Sequence, residues 1–251
     1  MKLKHLSGSR IGTYEQCPLK YYGIYEEELP QGEPHPLTNM GSGVHLMFEK
    51  ATMTYLGQGP CESHDPMFYK AMAMKEENVL PEHFDLVDEL TSHALQWGYF
   101  RDMRYCVGAE TEVNFVLADG TKVTGFIDRL DVKAPEATVI DLKTQKRAFT
   151  PEQLKKNWQA RIYNIGARKL YPDVTGRVKV AFWVLRHQVQ PVWLTADDAA
   201  RDEEALIKVA DEIRACEDPQ GNPSGLCPWC PKHGNCPFEK MGRKARFKRK
   251  Y

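Results

Sequence analysis

The chain has no long apolar run. Its longest, Val178 to Leu185, holds eight residues and contains Lys179, whereas a membrane-spanning helix needs roughly 20; no membrane span is expected. The opening Met1-Lys-Leu-Lys-His-Leu-Ser7 has none of the apolar character of a secretory leader. The expected compartment is therefore the cytoplasm, a host's cytoplasm if the protein is virally encoded. Net charge is also missing, because 34 Lys+Arg offset 34 Asp+Glu. No even set of cysteines is present either: there are seven, which without a leader argues against a disulfide framework. A Gly-x-x-x-x-Gly-Lys phosphate loop is absent, so no ATP-driven motor is built in. What remains, 42% hydrophobic and 27% charged over 251 residues, is globular composition.

The zero net charge conceals an asymmetry. Residues 1–100 carry 7 basic against 14 acidic side chains, and residues 101–251 carry 27 against 20. Within 143–186 there are 11 basic groups and only two acids, Glu152 and Asp173. Such a stretch suits a polyanion, with nucleic acid the obvious candidate. The tail 242–251 adds six more cations, which a solvated, disordered end would explain equally well.

Periodicity places the elements. Ser9 is a plausible N-cap for a short helix that ends near Cys17-Pro18, followed by a polar, Pro-rich loop over 29–37. Gly41-Ser-Gly-Val-His45 leads into a helix with Val44, Met47, Phe48, Ala51 and Tyr55 at helical spacing. Two more helices, broken near Pro81, fill 66–106. Strands are expected over 111–117 and 122–132, joined by an Asp119-Gly120 turn, and over 138–143 and 177–185. Helices are expected over 151–170, with Pro151 at its first position, and over 195–216.

Cys227-Pro-Trp-Cys230-Pro-Lys-His-Gly-Asn-Cys236 is a C-x2-C-x5-C run in a loop that Pro and Gly hold open. Three thiolates leave a tetrahedral metal or an iron–sulfur cluster one ligand short. His233 would complete a zinc site and Cys17 a cluster, and the spacing does not choose. Cys61, Cys106 and Cys216 read as ordinary buried thiols.

Phosphodiester hydrolysis needs carboxylates that hold a metal and a cation that positions water. A strand delivers two such groups to one face at i and i+2. Two Asp-x-Lys triplets occur, Asp131-Val-Lys133 and Asp141-Leu-Lys143. Asp141 ends an apolar run, and Asp128 on the neighbouring hairpin strand is well placed as a second ligand. The nearest acid upstream of Asp131 is Asp119, in a turn, so Asp131 and Lys133 read as an edge-strand charge pair.

These residues resemble a family. Gly125-Phe-Ile-Asp128-Arg-Leu-Asp131 followed by Val139-Ile-Asp141-Leu-Lys143-Thr144 is similar to the RecB-like branch of the P-D-(D/E)-x-K nucleases. Gln159-Ala-Arg-Ile-Tyr163 matches that branch's Gln-x-x-x-Tyr motif, and Gly41-Ser-Gly-Val-His45 its upstream histidine. Cys17-Pro18 with Cys227, Cys230 and Cys236 matches the layout of a subset with a 4Fe–4S cluster, which includes the AddB nuclease domain and CRISPR-associated RecB-like exonucleases. The resemblance runs from residue 9 to 237. It implies an α/β fold: a restriction-endonuclease-like mixed sheet flanked by helices, as a single domain over 1–251. Residues 1–106 would form a helical N-terminal segment, 107–190 the catalytic core, and 191–251 a last helix, the cysteine loop and the basic tail. It further implies an Mg2+- or Mn2+-dependent deoxyribonuclease acting on single-stranded ends with 5′→3′ polarity, in DNA recombination or repair, with a recombination or replication protein as partner. His45, Asp128, Asp141 and the Leu142 carbonyl would hold the metal, and Lys143 would orient water. Either Glu110 or Glu112 would support the site. Gln159 and Tyr163 would position DNA along a stripe that includes Lys155, Lys156, Arg161, Arg168 and Lys169. Two other classes compete: a nuclease-inactive DNA-binding or recombination partner, and a zinc protein using Cys227, Cys230, His233 and Cys236.

Overall fold

The computed structural model describes residues 1–32, 35–59, 63 and 65–238. Cys61 and the basic tail lie outside the described residues. The chain divides into two compact units, one of His35–Phe115 and Thr124–Glu203, the other of Met1–Pro34, Val116–Val123 and Glu204–Tyr251.

The larger unit carries most of a five-stranded sheet of order β1-β2-β3-β4-β5: β1 Cys106–Val116, β2 Lys122–Lys133, β3 Glu136–Lys143, β4 Val178–Val184 and β5 Gln188–Leu194. β2 and β3 pair antiparallel, β3 and β4 parallel, β4 and β5 antiparallel. A parallel pair needs a crossover, which helices between β3 and β4 provide. The expected single helix there is two, α6 (Pro151–Lys155) and α7 (Trp158–Leu170), because Asn157 leaves the helix and caps the second through Ala160. Thr150 and Gln153 form a capping box around Pro151, as that proline suggested.

The rest of this unit is helical. α3 (Pro36–Tyr55), α4 (Pro66–Glu76) and α5 (Phe84–Gln96) present Met40, Val44, Met47, Phe48, Tyr69 and Leu90 to one core, joined by Tyr99 just after α5, with Ile140, Leu142, Ala181 and Trp183 of the sheet. Sequence reasoning placed the Gly-rich segment before its helix, but Gly41 and Gly43 lie inside α3. A Cβ on Gly41 would come 2.9 Å from Thr144 Oγ1, and one on Gly43 3.0 Å from Val79 Cγ2. Gly41 thus lets α3 approach the end of β3, and Gly43 lets it approach the segment after α4.

A second close approach joins α7 to β1: a Cβ on Gly166 would lie 2.1 Å from Val113 Cγ1. We expect Gly166→Ala to cost about 1–3 kcal/mol through overpacking, read by urea unfolding. Adding Val113→Ala should make the double variant less destabilised than the two single costs added together. Strict additivity would place the strain elsewhere.

β5 escaped the sequence reading because Pro191 lies in its middle. It is an edge strand, where a missing N–H costs little. Asp131 does not pair with Lys133, and β2 is not an edge. Asp131 instead clamps the Arg129 guanidinium with both oxygens, at 2.8 and 2.9 Å. Arg129 is 1% exposed, and a buried guanidinium needs such a partner.

In the smaller unit α1 (Gly8–Gln16) is capped by Ser7, not Ser9, and α2 (Pro18–Tyr25) begins at Cys17-Pro18. The hairpin turn bonds to the last turn of α8 (Ala196–Ala215), where Arg214 donates to Asp119 at 2.8 Å and to Thr121 Oγ1 at 2.6 Å. No helix among the described residues is long and apolar enough to cross a membrane.

Candidate active site

The β2–β3 ladder runs from Lys133↔Glu136 to Arg129↔Ile140. Beyond it the amide of Leu142 donates to Asp128 Oδ2 at 2.5 Å. This places the Asp128 carboxylate beside β3, whose Asp141 and Lys143 share one face. Lys143 Nζ lies 2.6 Å from Asp141 Oδ2. On the other side, His45 Nδ1 of α3 lies 3.1 Å from Asp128 Oδ1.

Glu110 completes the arrangement. Ligand atoms of His45, Glu110 and Asp128 all lie within 4.8 Å of one another, the one such group of three among the described residues. The sequence left Glu110 and Glu112 equivalent on one regular strand face. They are not equivalent, because Glu110 has φ +41°, and the buried positions of β1 shift from even numbers to odd ones across it. Such a bulge re-aims a side chain. Glu110 turns to the site and Glu112 is exposed.

Asp141 is not part of this group. Its Oδ1 is 3.1 Å from the Tyr163 hydroxyl, and that hydroxyl is also 2.6 Å from the Phe126 carbonyl and accepts from Gln159 Nε2 at 3.2 Å. The Phe126 carbonyl and the Asp141 carboxylate both accept, so the one Tyr163 proton is shared between them. Gln159 and the buried Tyr163 thus form a brace behind the carboxylates. Glu49, one turn after His45 on the same face of α3, was missed; the i, i+4 spacing was the available signal.

Electrostatics mark the cluster as built for a cation. Burial lowers the His45 pKa, but the charge and hydrogen bond of Asp128 outweigh it and raise it to about 9. Burial and the neighbouring Asp128 carry Glu110 up to about 7. Burial also raises Asp141, whereas His45 holds Asp128 below its usual range against its own desolvation. Asp141 Oδ2 is buried without an aligned hydrogen bond. One imidazole and clustered carboxylates fit a hard divalent cation.

The basic stripe is largely spoken for. Arg168 donates to Asn164 and to the carbonyls of Val174 and Gly176, so it ties down the end of α7. Arg161 pairs with Asp202, and Lys169 with Glu203. Lys155 and Lys156 are exposed.

In the smaller unit, Cys17, Cys227, Cys230 and Cys236 line one small cavity together with Lys232 and His233. Backbone amides point at the sulfurs: Lys20 and Asn222 at Cys17, 3.4 and 3.3 Å, and Ser224 at Cys227, 3.2 Å. Burial raises the Cys230 thiol pKa, and the neighbouring Cys17 and Cys236 add to it. Among the described residues no cysteine belongs to a group of three ligand atoms within 4.8 Å. Cys106 is buried, and Cys216 is intermediate.

No curated protein sequence matches the chain. A crystal structure of a candidate exonuclease from Eubacterium rectale is similar to it, with a TM-score of 0.54 and 15% identity, covering 87% of this chain and 84% of that one. A second structure, SSO0001, matches at 13% identity and a TM-score of 0.44 over 95% and 88%. Residues 5–237 match the PD-(D/E)XK nuclease superfamily. With a mixed five-stranded sheet flanked by helices, and its paired strand carboxylates and lysine at the ladder's end, the chain belongs to the PD-(D/E)XK nuclease superfamily and has its restriction-endonuclease-like fold.

Proposed function

We propose that the protein is an Mg2+- or Mn2+-dependent exonuclease that hydrolyses phosphodiester bonds of DNA, on single-stranded ends and in the 5′→3′ direction. The observation that carries this reading is the convergence of His45, Glu110 and Asp128 beside the Asp141–Lys143 pair. A divalent cation held there would polarise the scissile phosphate and make bound water more acidic. Asp128 is the shared ligand, fixed by His45 on one side and the Leu142 amide on the other. Asp141 completes the carboxylate set, braced by Tyr163, and the Leu142 carbonyl is a further donor. Lys143 orients the attacking water and balances the charge that develops on the phosphate. The strand and polarity preferences follow the RecB-like exonucleases that the motifs resemble, and the Eubacterium rectale neighbour is likewise named as an exonuclease. Recombination or repair, with a partner protein, is the corresponding setting.

The same reading assigns a 4Fe–4S cluster to Cys17, Cys227, Cys230 and Cys236. A single zinc ion draws its ligands to about 2.0–2.3 Å of one centre, whereas a four-iron cluster gives each cysteine its own iron and leaves the sulfurs farther apart. Four thiols around one cavity that do not crowd to a single centre, with amides aimed at them, fit the cluster better. The cluster would tie the N-terminal cysteine to the C-terminal loop.

A time course on end-labelled single-stranded DNA tests the function. With Mg2+ or Mn2+, a 5′ label should leave at once in short products and a 3′ label should give a descending ladder. Cleavage that persists in excess chelator, or no cleavage of any DNA, would overturn the reading. For DNA engagement, Lys155→Gln with Lys156→Gln should weaken binding and flatten its salt dependence. Arg168→Gln should instead lower the melting temperature and leave the salt slope unchanged.

A further inference from the structure

Beside His45 and Lys143 opens a cavity of about 730 Å³. Its acidic wall includes Glu49 of α3, with Glu77 nearby; its basic wall is the loop after β3 and the turn after β4, with Lys146 and Arg186. That basic wall is held firmly. Leu185 N–H donates to the Lys143 carbonyl at 2.9 Å, and His187 Nε2 to the Lys146 carbonyl at 2.8 Å. Gln190 both donates to and accepts from the Phe149 backbone at 2.9 Å. Arg186 Nε donates to the Thr144 carbonyl at 2.9 Å, which leaves the outer fork of its guanidinium available.

Neither Lys146 nor Arg186 forms an ion pair among the described residues, unlike Arg161 and Lys169 on α7. Two such cations beside Lys143 in one concavity repel each other until an anion arrives. The lining contains no Phe, Tyr or Trp. Hydroxyls and cations suit phosphate and sugar, which position a strand without reading its sequence. The volume has room for about one or two nucleotides of a single strand.

The geometry points to a phosphate subsite in which Lys146 and Arg186 grip the phosphodiester next to the one that is cut, with Arg186 supplying a two-pronged contact. The inference rests on the reading of the protein as a DNA nuclease and extends it to residues outside the carboxylate cluster. Glu49 and Glu77 across the cavity repel the strand toward this wall.

The test uses Arg186→Gln, whose amide can keep the bond to Thr144, and Lys146→Gln. Each should raise KM for a single-stranded oligonucleotide about tenfold with kcat within about twofold, as expected for a lost charged hydrogen bond. Each should flatten the salt slope of binding by about 0.7. In a series of oligonucleotides with one neutral methylphosphonate each, one linkage near the cut should be costly for the wild type and nearly neutral for Arg186→Gln. If the wild type cleaves but the variants keep every methylphosphonate penalty, the subsite is wrong and the nuclease reading stands. A fall in kcat alone, with those penalties intact, would likewise overturn it by showing that the loop only positions Lys143. A wild type that neither binds nor cleaves DNA would sink both.

Discussion

Asp128→Asn and Glu110→Gln are each expected to reduce metal-dependent cleavage by at least about a thousandfold, the scale of losing charge stabilisation at a reacting phosphate. Asp128 should be the larger loss, because it joins His45 and the Leu142 amide and would also hold the cation. Glu112→Gln, one alternation away and exposed, leaves the rate near wild type. Mn2+ titration by calorimetry reads the cause directly: the two site variants lose affinity and Glu112→Gln keeps it. Uptake by the wild type near pH 7.5 should release about one proton, since His45, with its pKa near 9, would have to give up the proton shared with Asp128. Equal activity in Glu110→Gln and Glu112→Gln would remove the bulge-directed carboxylate from the mechanism.

The same variant has a stability signature of opposite sign. Glu110 in the folded chain titrates near 7 against an ordinary value of 4.5. Between these values the folded state keeps a proton that the unfolded state has lost. Metal-free stability therefore falls as pH rises through that window and stays low above it. In chelator at pH 8, Glu110→Gln should melt above the wild type, by about 2–4 °C for each kcal/mol relieved, and the gain should vanish near pH 4.5. Saturating Mn2+ should reverse the order, because only the wild type gains binding energy.

On the proposed cluster reading, Cys17→Ala should abolish the brown colour and the broad absorbance near ~400 nm expected of an iron–sulfur protein. It also lowers the melting temperature by about 10 °C or more, since metal-site free energy is folding free energy. The thiol sits 210 positions before Cys227 in the chain, yet both line one cavity, so a cluster there would close a long loop within the smaller unit. His233→Ala keeps colour and iron. A zinc site gives the reverse pattern, with metal lost in His233→Ala and retained in Cys17→Ala. Iron, sulfide and zinc analysis of both variants prepared without oxygen decides between them, and full iron and sulfide in Cys17→Ala would end the four-cysteine assignment.

The chain alone determined the elements whose signal is local. Pro151 with Thr150, the Asp119-Gly120 turn, the apolar run of β4 and the Asp141-Leu-Lys143 triplet are each legible within a few residues, because capping, turn geometry and strand alternation act over that range. Asp128 was legible for the same reason, being one hairpin away. Three decisions belonged to tertiary structure. Glu110 entered the site and Glu112 did not because a positive φ breaks the strand's alternation, a backbone event that side-chain periodicity does not encode. Arg168 left the basic stripe because the carbonyls it satisfies come from Val174 and Gly176, beyond the end of its helix, and buried acceptors must be paired. Arg186 and Lys143, 43 positions apart in sequence, came to share a cavity because β3 and β4 run parallel and end together, and only the sheet's register states that.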